Sequence, residues 1–418
     1  MKKILADTVV LDLTRFFSGP QATLLLAGMG AEVIKVDAPE SGDPIAFAPP
    51  FAGPQGISFH RQTEMDMGIA YLKRARGKKS LLLDLKSETG HAVFMRMVKK
   101  ADVVVDNFSV GVAQRLGVDH ESLRAANPSI VSCSLSGYGG TGPDRNLKAY
   151  DLMVQAAVGL MSVTGHPDSQ PMKAGSPLSD AIAGVFAATG IVSALLHRYK
   201  TGEGQAVDVS MADCLFSLVF DEPFDCYEGL GIPQRQGNRI MRFSPFNTFE
   251  SQDGWVVLGA ATAADWTELL RVMGREDLMG DKNIMDLGWR LANNAKVDEI
   301  VAIWAGRHKT ADIVEKLAAA NVPCSPVRTV DEALAWDQLH ARGMMETLWN
   351  PLAQAETSAF GPGFPLKFSA TRAAYDAPAP LPGQHSAEVL KRLAEMTEQE
   401  VQNLMDQRIT SGPNLSLK

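Results

Sequence analysis

The sequence predicts an α/β fold in which helices cover both faces of a parallel, Rossmann-like sheet. Short runs rich in β-branched residues alternate along the chain with longer segments of helical periodicity. Strands are predicted at Thr8–Leu13, Glu32–Val36, Ser80–Leu83, Val103–Val105 and Ile130–Ser134. Helices are predicted at Gln21–Met29, Glu88–Lys100, His120–Ala126 and Asp151–Met161. Strands joined by crossover helices lie parallel, so ligands are expected at the C-terminal ends of the strands.

The turn after the first strand argues against a nicotinamide cofactor. A dinucleotide site would place the pattern G-x-G-x-x-G here, whereas the chain reads RFFSGP from Arg15 to Pro20. Gly19 permits a close backbone approach, and Pro20 suits the first position of a helix. A nicotinamide enzyme is therefore not expected, although the alternation of strands and helices is Rossmann-like.

The middle of the chain predicts a second, smaller α+β domain. A helix over Asp180–Tyr199, a strand at Ala206–Val209 and a helix starting near Met211 continue the first pattern. The composition then changes near Glu222, and a hairpin with an Asp-Gly turn follows at Ser251–Gly259. Further helices are predicted at Ala264–Met273, Ala295–Ala305 and Thr310–Ala319.

The last part of the chain is predicted to return to the first domain. It contains a Pro-rich stretch at Pro378–Gly383 and a final helix near Ser386–Arg408. We therefore divide the chain into residues 1–225 of a large Rossmann-like domain, a small α+β domain at 226–324, and a return segment at 325–418 that completes the large domain.

Charge and hydropathy exclude some classes of partner. The net charge of −8 disfavours binding to nucleic acid, and no apolar run reaches the roughly 20 residues of a membrane span. In the N-terminal stretch MKKILADTVVLDL, Asp7 and Asp12 interrupt the aliphatic residues and no small-residue cleavage site follows. This stretch is typical of a first strand and not of a signal peptide. A cytoplasmic protein without membrane partners is expected.

The cysteines and histidines predict no metal site. No CxxC pair occurs, and no histidine stands at ligand spacing from a cysteine. The four cysteines are Cys133, Cys214, Cys226 and Cys324. Reduced, mostly structural thiols and no tightly bound cofactor are expected.

The segment Lys148–Gly184 contains the strongest candidate for chemistry. It leads through a loop punctuated by glycine and proline to Asp180, at the start of an apolar helix. The N-terminus of a helix stabilises a carboxylate, and its unpaired N–H groups can stabilise an oxyanion. A nucleophilic Asp180 and a simple helix cap are both compatible with this local pattern.

Seven stretches of the sequence together decide between these two interpretations. They are VLDLTRFFSGP (Val10–Pro20), GAEVIKVDAPESGDP (Gly30–Pro44), KKSLLLDLKSETG (Lys78–Gly90), ADVVVDNFSVGVAQRLG (Ala101–Gly117), SGYGGTGP (Ser136–Pro143), KTGEGQAVDVSMADC (Lys200–Cys214) and GPGFPLKFSAT (Gly361–Thr371). In this order and spacing they resemble the family III CoA-transferases, the CaiB/BaiF type that includes formyl-CoA transferase.

The resemblance implies that Asp180 is the nucleophile. In that family an aspartate follows the pattern TG-x-PD-x-x-P-x-x-x-G-x-x-x-x-D, which the chain matches from Thr164 to Asp180. The implied activity moves CoA from an acyl-CoA donor to a free carboxylic acid through an aspartyl anhydride and an aspartyl-CoA thioester. Coenzyme A then takes part as the acyl-CoA substrate.

Two alternatives differ from this function. The α-methylacyl-CoA racemases resemble the chain in similar motifs, but they need an acid/base pair, and Tyr150 stands where those racemases have a histidine. Tyrosine, with an ordinary pKa of about 10, is a poor base at neutral pH. A non-catalytic acyl-CoA-binding protein is the other alternative, and retention of Asp180 with its whole loop disfavours it.

The resemblance also implies CoA contacts. They fall on nine positions of the matching motifs: Phe17, Ser18, Leu83, Lys86, Asn107, Phe108, Arg115, Lys148 and Tyr150. The basic run KRARGKK at Lys73–Lys79 is a further candidate for phosphate binding, with a solvated loop as the alternative.

Two further expectations concern the acid substrate and the assembly. Arg239 and Arg242 stand three positions apart in GNRIMRFSPFNTF and could bind a second carboxylate, which favours a dicarboxylate such as a succinate-like acid over a plain short-chain acid. A pair of solvated surface arginines is the alternative. The resemblance implies that both chain ends build the large domain and that two ring-like protomers thread through each other as an interlocked homodimer.

Overall fold

The computed structural model describes residues 3–413, so the outermost parts of the predicted first and last segments, residues 1–2 and 414–418, lie outside the described residues. The strands are β1 (Val9–Asp12), β2 (Glu32–Asp37), β3 (Phe51–Gly53), β4 (Gly56–Ser58), β5 (Met67–Gly68), β6 (Lys78–Leu83), β7 (Val103–Asp106), β8 (Val131–Ser136), β9 (Ala206–Ser210), β10 (Phe246–Glu250), β11 (Trp255–Gly259), β12 (Cys324–Pro326), β13 (Met345–Asn350), β14 (Ala355–Pro362) and β15 (Thr410–Ser411).

Helices connect most of these strands. They are α1 (Ser18–Gly28), α2 (Ile69–Arg74), α3 (Glu88–Val98), α4 (Val112–Leu116), α5 (His120–Ala126), α6 (Asp151–Ala157), α7 (Leu160–Val163), α8 (Leu178–Thr201), α9 (Met211–Val219), α10 (Phe224–Tyr227), α11 (Ala263–Val272), α12 (Lys282–Met285), α13 (Leu287–Ala292), α14 (Asn294–Ala305), α15 (Thr310–Ala319), α16 (Val330–Leu334), α17 (Asp337–Ala341), α18 (Ser386–Leu393) and α19 (Glu398–Asp406). Short 3₁₀ turns lie at Pro44–Phe47, Glu228–Leu230 and Glu276–Gly280.

A seven-stranded sheet confirms the predicted mixed α/β fold. Its strand order is β15-β6-β2-β1-β7-β8-β9, and all neighbouring strands are parallel except β15, which pairs antiparallel with β6. The central strands β1, β2 and β7 are almost entirely buried because helices cover both faces. Each predicted strand before residue 210 became a strand of this sheet.

The C-terminal segment belongs to the same sheet and core. Strand β15 pairs through Thr410 with Leu83 of β6, and buried side chains of α18 and α19 pack in one cluster with those of α3 and the central strands. The sequence predicts one helix over Ser386–Arg408, but the structure has two. The chain turns at Glu395, whose φ is +52°, and Thr397 then starts α19 with a capping box.

The chain divides into two compact units. The large unit contains the described residues up to Gly159, then Gly175–Asp221, then Asp337 onward, and the central unit contains Leu160–Ala174 and Glu222–Trp336. The predicted boundaries stood at 225/226 and 324/325, and the sequence placed Leu160–Ala174 in the large domain. The predicted helix Asp151–Met161 is interrupted at this boundary by Gly159, whose φ is +84°.

The central unit has its own antiparallel sheet and core. Its strands follow the order β10-β11-β12, and the predicted Asp-Gly hairpin joins β10 to β11. Buried residues of α11, α14 and α15, including Trp266, pack against this sheet. Two small sheets of the large unit, β4-β3-β5 and the hairpin β13-β14, are structures that the sequence analysis did not predict.

Helix α8 is the longest helix among the described residues. By length and composition alone it could span a membrane, with a mean hydropathy of 1.7 over its most apolar window. Within the large unit, however, Ala183, Ala187 and Ile191 on one face of the helix are buried. The sequence predicted no apolar run as long as a membrane span. The structure shows that α8 has that length, and that one face of it is buried in the large unit.

Candidate active site

Asp180 lies in the first turn of α8, as the sequence predicts. The helix begins directly after Pro177, so the backbone N–H groups of its first turn have no partner within the helix. The start of α1 approaches the same point. Ser18, the first residue of α1, has a backbone N–H and a hydroxyl that both lie near the Asp180 carboxylate and lower its pKa. Two helix N-termini therefore converge on one carboxylate and favour its anionic form.

Gly184 makes this convergence possible. A Cβ atom at Gly184 would lie 2.9 Å from the carbonyl oxygen of Ser18 and 2.9 Å from the Cβ of Gln21. Both distances are too short for carbon in a packed interface, so a side chain here would force α1 and α8 apart. The glycine lets α1 come close enough to place Ser18 beside Asp180.

The environment of Asp180 nevertheless raises its pKa to about 6. Burial is the largest cause, because it disfavours the charged form, and the negative charge of Asp151 is the second. Ser18 and the guanidinium of Arg74 oppose this rise. At neutral pH the carboxylate is still mostly ionised, but it is a stronger base and nucleophile than an ordinary aspartate.

Asp151 acts as the cap of α8. Its Oδ1 accepts hydrogen bonds from the backbone N–H of Ser179 at 2.9 Å and from the hydroxyl of Ser179 at 2.7 Å, and its Oδ2 accepts one from Gln155 at 2.7 Å. The sequence analysis missed this residue, although it follows directly after Tyr150. The side chain that fixes the start of α8 thus also raises the pKa of Asp180.

A cavity of about 420 Å³ opens beside Asp180 at the C-terminal ends of the parallel strands. It lies entirely within the large unit, and Asp180 is part of its wall. Six of the nine predicted CoA contacts line it: Phe17, Ser18, Asn107, Phe108, Lys148 and Tyr150. Arg145, which the sequence analysis did not single out, adds an exposed cation next to Lys148.

The other three predicted contacts do not line this cavity. Leu83 is 1% exposed and belongs to the core under the sheet, where β6 pairs with β15. Lys86 is exposed in the loop after β6, and Arg115 lies on α4 outside the cavity wall. Motif matching predicted these three residues as CoA contacts, but the structure does not place their side chains beside Asp180.

Asn107 holds the turn between β1 and α1. Its Oδ1 accepts from the N–H of Arg15 at 2.9 Å, and its Nδ2 donates to the carbonyl of Arg15 at 2.8 Å. The next residue, Phe16, has a φ of +67°, an uncommon conformation for a residue with a side chain. Asn107 therefore uses its amide to fix the strained turn that carries Phe17 and Ser18.

Arg74 packs against the same turn from α2. Its guanidinium carbon lies 3.9 Å from the centre of the Phe17 ring, and its Nη1 donates to the carbonyl of Phe16 at 2.9 Å. Burial lowers the pKa of this guanidinium to about 10, while the charge of Asp180 opposes the fall. The sequence analysis noticed Arg74 only as part of a basic run.

A buried ion network lies beneath the turn. Lys78 Nζ contacts Asp12 Oδ2 at 3.0 Å and donates to the carbonyl of Pro20 at 3.1 Å. Lys35 Nζ donates to the carbonyl of Thr14 at 2.6 Å. Burial alone would raise the pKa of Asp12, but Lys78 and Lys35 hold it below its ordinary value. These contacts join three strands to both ends of the turn.

The two arginines predicted to bind the acid substrate lie in the central unit and are each ion-paired. Arg239 Nε contacts Asp298 Oδ2 at 2.7 Å, and Arg242 Nη2 contacts Glu222 Oε2 at 2.9 Å. Arg239 lines a small cavity of that unit. In this structure neither guanidinium is without a carboxylate partner.

No group of three or more His, Cys, Asp and Glu side chains within residues 3–413 is arranged to hold a metal ion. The four cysteines are free thiols. Burial raises the pKa of Cys133, Cys214 and Cys324, so these three are poor thiolate nucleophiles at neutral pH. Asp180 is therefore the best-placed nucleophile of the large unit.

Comparison with known proteins identifies the family of the chain. The family model described as CoA-transferase family III matches residues 5–386. The chain is 33% identical over 396 residues to succinate–glutarate CoA-transferase of Agrobacterium fabrum, covering 94% of this chain and 96% of the relative. It is 34% identical over 390 residues to succinyl-CoA:mesaconate CoA-transferase of Haloarcula hispanica, covering 92% and 95%.

A solved structure shares the fold. A CaiB/BaiF family protein from Brucella suis matches with a TM-score of 0.80 and 30% identity, covering 94% of this chain and 100% of the other.

Proposed function

Because the chain belongs to CoA-transferase family III, we propose that Asp180 carries the acyl group and then CoA during transfer of CoA between two carboxylic acids. Transfer of CoA to a carboxylate is the activity of the family. The single observation that supports Asp180 in this role is its position: a partly buried carboxylate of raised pKa, beside two helix N-termini, in the wall of a cavity with six predicted CoA contacts.

The first half of the reaction moves the acyl group to Asp180. A carboxylate oxygen attacks the thioester carbonyl carbon, the C–S bond breaks, and CoA leaves as a thiolate. The thiolate then attacks the Asp180 carbonyl carbon of the mixed anhydride. The first acid leaves as a carboxylate, and an aspartyl-CoA thioester remains.

The second half repeats these steps in reverse order. The acceptor carboxylate attacks the carbonyl carbon of the aspartyl thioester. A new mixed anhydride forms between the acceptor and Asp180, and CoA is released as the thiolate. The thiolate attacks the acyl carbon of the incoming acid, so the new acyl-CoA leaves and the Asp180 carboxylate is restored. Each step exchanges one anion for another, so no proton, metal or redox group enters the balance.

The residues around Asp180 have separate roles in this scheme. The backbone N–H and the hydroxyl of Ser18, at the start of α1, supply donors for the oxyanion that forms at each attack. Phe17, Phe108 and Tyr150 supply apolar and aromatic wall for the pantetheine, and Lys148 supplies positive charge for the phosphates. Leu83, Lys86 and Arg115 would contact CoA only outside this cavity.

We also propose that the acid substrates include a dicarboxylate. The relatives reported above are named for succinate, glutarate and mesaconate, all of which carry two carboxylates. Arg239 and Arg242 would take part only if their ion pairs with Asp298 and Glu222 opened.

The interlocked homodimer belongs to the same proposal. Large apolar side chains of α8 and α9 are exposed in the single chain: Tyr199 at 88%, and Leu196, Phe216 and Leu218 at 52% each. Several large, exposed apolar side chains on two neighbouring helices are typical of a protein interface. A second copy of the chain is the partner that the family resemblance implies.

Trapping the covalent intermediate tests the proposal. The protein is incubated with acyl-CoAs of mono- and dicarboxylic acids, treated with hydroxylamine or borohydride, digested, and analysed by mass spectrometry. We expect the modification on the peptide that contains Asp180, loss of modification and of transfer in Asp180→Asn, and retention of CoA binding by that variant. Asp168→Asn, an exposed carboxylate earlier in the same sequence pattern, should react like the unchanged chain.

Other results would identify the alternatives. Exchange of the α-proton of the acyl group in D₂O without modification of Asp180 would indicate a racemase. Binding of acyl-CoA with neither modification nor exchange would indicate a binding protein. Transfer that persists in Asp180→Asn would refute the role given to Asp180.

A further inference from the structure

We propose that Arg74 binds the second carboxylate of a dicarboxylic substrate at the Asp180 site. This inference rests on the function proposed above and names the residue that would select such acids. Arg74 is the last residue of α2 and lies in the same unit as Asp180.

Two contacts with the β1–α1 turn fix the position of Arg74. The guanidinium stacks on Phe17, which lines the cavity, and one of its nitrogens donates to the carbonyl of Phe16. The turn continues into Ser18, which lies near the Asp180 carboxylate. The cation and the nucleophile therefore contact neighbouring residues of one short turn, and they interact electrostatically.

Most donor capacity of Arg74 is unused. A guanidinium has five N–H donors, and one of them is occupied by the carbonyl of Phe16. Among residues 3–413 no carboxylate forms an ion pair with Arg74, whereas Arg76, Lys78 and Lys79 of the same basic run are each ion-paired. Arg74 is also partly buried, and a partly desolvated cation is costly when the carboxylates that act on it, Asp180 and Asp43, form no ion pair with it. A carboxylate of the substrate would relieve that cost.

The reaction itself makes this need greater. Asp180 is the larger of the two negative charges that act on Arg74 in the free enzyme, and Asp43 is the other. When Asp180 becomes an anhydride or a thioester, that charge disappears. A dicarboxylic acyl group brings a second carboxylate into the site at the same moment, and the planar guanidinium can hold it with two parallel hydrogen bonds. A monocarboxylic acyl group leaves Arg74 with only the carbonyl of Phe16 and the weaker charge of Asp43.

A comparison of matched acids tests this inference. Succinate and butyrate have the same chain length and differ in the second carboxylate. With one fixed acyl-CoA donor, kcat/KM is measured for both acids with the wild-type protein and with the Arg74→Met and Arg74→Lys variants. A charge-assisted hydrogen bond contributes about 1.5–3 kcal/mol, so the preference for succinate over butyrate should fall roughly 10- to 100-fold in Arg74→Met and less in Arg74→Lys.

Arg61→Met is the matched control. Arg61 also stacks on an aromatic ring, that of Phe47 at 5.1 Å, and also donates to a backbone carbonyl, that of Glu64 at 2.7 Å. Phe47, unlike Phe17, lines no part of the Asp180 cavity. Its loss should leave the succinate-to-butyrate ratio within about 2-fold. A role of Arg74 in holding the turn alone would lower both rates equally, and the ratio separates the two roles.

The results distinguish failure of this inference from failure of the proposed function. Transfer to succinate and butyrate with an unchanged ratio in Arg74→Met refutes the role of Arg74 and leaves the role of Asp180 intact. If the unchanged protein transfers CoA to no acid with any donor, both proposals are wrong. A lower ratio in Arg74→Met with an unchanged ratio in Arg61→Met supports the inference.

Discussion

At the scale of single residues, the chemistry of this protein depends on opposing influences at Asp180. Burial and Asp151 favour the neutral acid, while Ser18 and Arg74 favour the anion. The balance gives a pKa of about 6, which keeps the nucleophile ionised at neutral pH but more basic than an unperturbed aspartate. A raised pKa also means that ionising Asp180 costs folding free energy as the pH rises from about 4 to about 6.

The pH dependence of transfer should show this value. We expect kcat/KM to fall below pH 6 with a slope of one proton, because the protonated carboxyl group cannot attack a thioester. The measurement is kcat/KM between pH 4.5 and 8 with a fixed donor and acceptor. An acid limb near the ordinary aspartate value of about 4 would show that the groups around Asp180 do not act as described.

The substitution Asp151→Asn separates two roles of Asp151: its hydrogen bonds to the start of α8 and the effect of its negative charge on Asp180. The amide oxygen can still accept from the N–H and hydroxyl of Ser179, but the negative charge that raises the pKa of Asp180 is gone. The acid limb of kcat/KM should therefore move to lower pH while the protein stays folded by circular dichroism. An acid limb that moves upward would mean that Asp151 acts on Asp180 in another way.

At the scale of elements, the β1–α1 turn decides where the site forms. The turn is held from one side by Asn107 and from below by the buried network of Lys78, Lys35 and Asp12. Gly184 then lets α8 approach the start of α1. Each of these contacts joins residues that are far apart in the chain, so the nucleophile depends on the packing of the whole sheet.

Lys78→Met should destabilise the protein strongly. The substitution leaves Asp12, which is fully buried, without its ion partner, and breaking a buried pair in this way costs about 3–5 kcal/mol. The free energy of unfolding in urea measures the effect.

Lys79→Met is the control for Lys78→Met. Lys79 is the next residue, but it is partly exposed and pairs with Glu32 and Glu388 at the surface. Its loss should change the free energy of unfolding by less than about 1 kcal/mol. Equal effects of the two substitutions would contradict a structural role for the buried network.

At the scale of the whole molecule, the chain returns from the central unit to complete the sheet that it started. Residues from Asp337 onward contribute the edge strand β15 and helices α18 and α19 to the large unit. This return into the large unit is compatible with the interlocked homodimer proposed above, for which the exposed apolar side chains of α8 and α9 would supply an interface.

The dimer proposal predicts the mass of the particle in solution and slow exchange of protomers between dimers. Light scattering should give twice the 45.0 kDa of the chain. Because interlocked rings cannot separate while folded, tagged and untagged dimers should form hybrids only after unfolding and refolding. A monomeric mass, or hybrid formation within minutes under native conditions, would refute interlocking.

The sequence by itself determined the α/β class, the six parallel strands of the main sheet but not its edge strand β15, and the place of Asp180, because these depend on local periodicity and on motifs of fixed spacing. It did not predict the small sheets, the break between α18 and α19, or the roles of Asp151 and Arg74. Only the tertiary structure showed which predicted contacts share a cavity and which arginines already have partners. The physical reason is that the charges and hydrogen-bond partners at Asp180 come from α1, α2 and α6, which meet only after the sheet has folded.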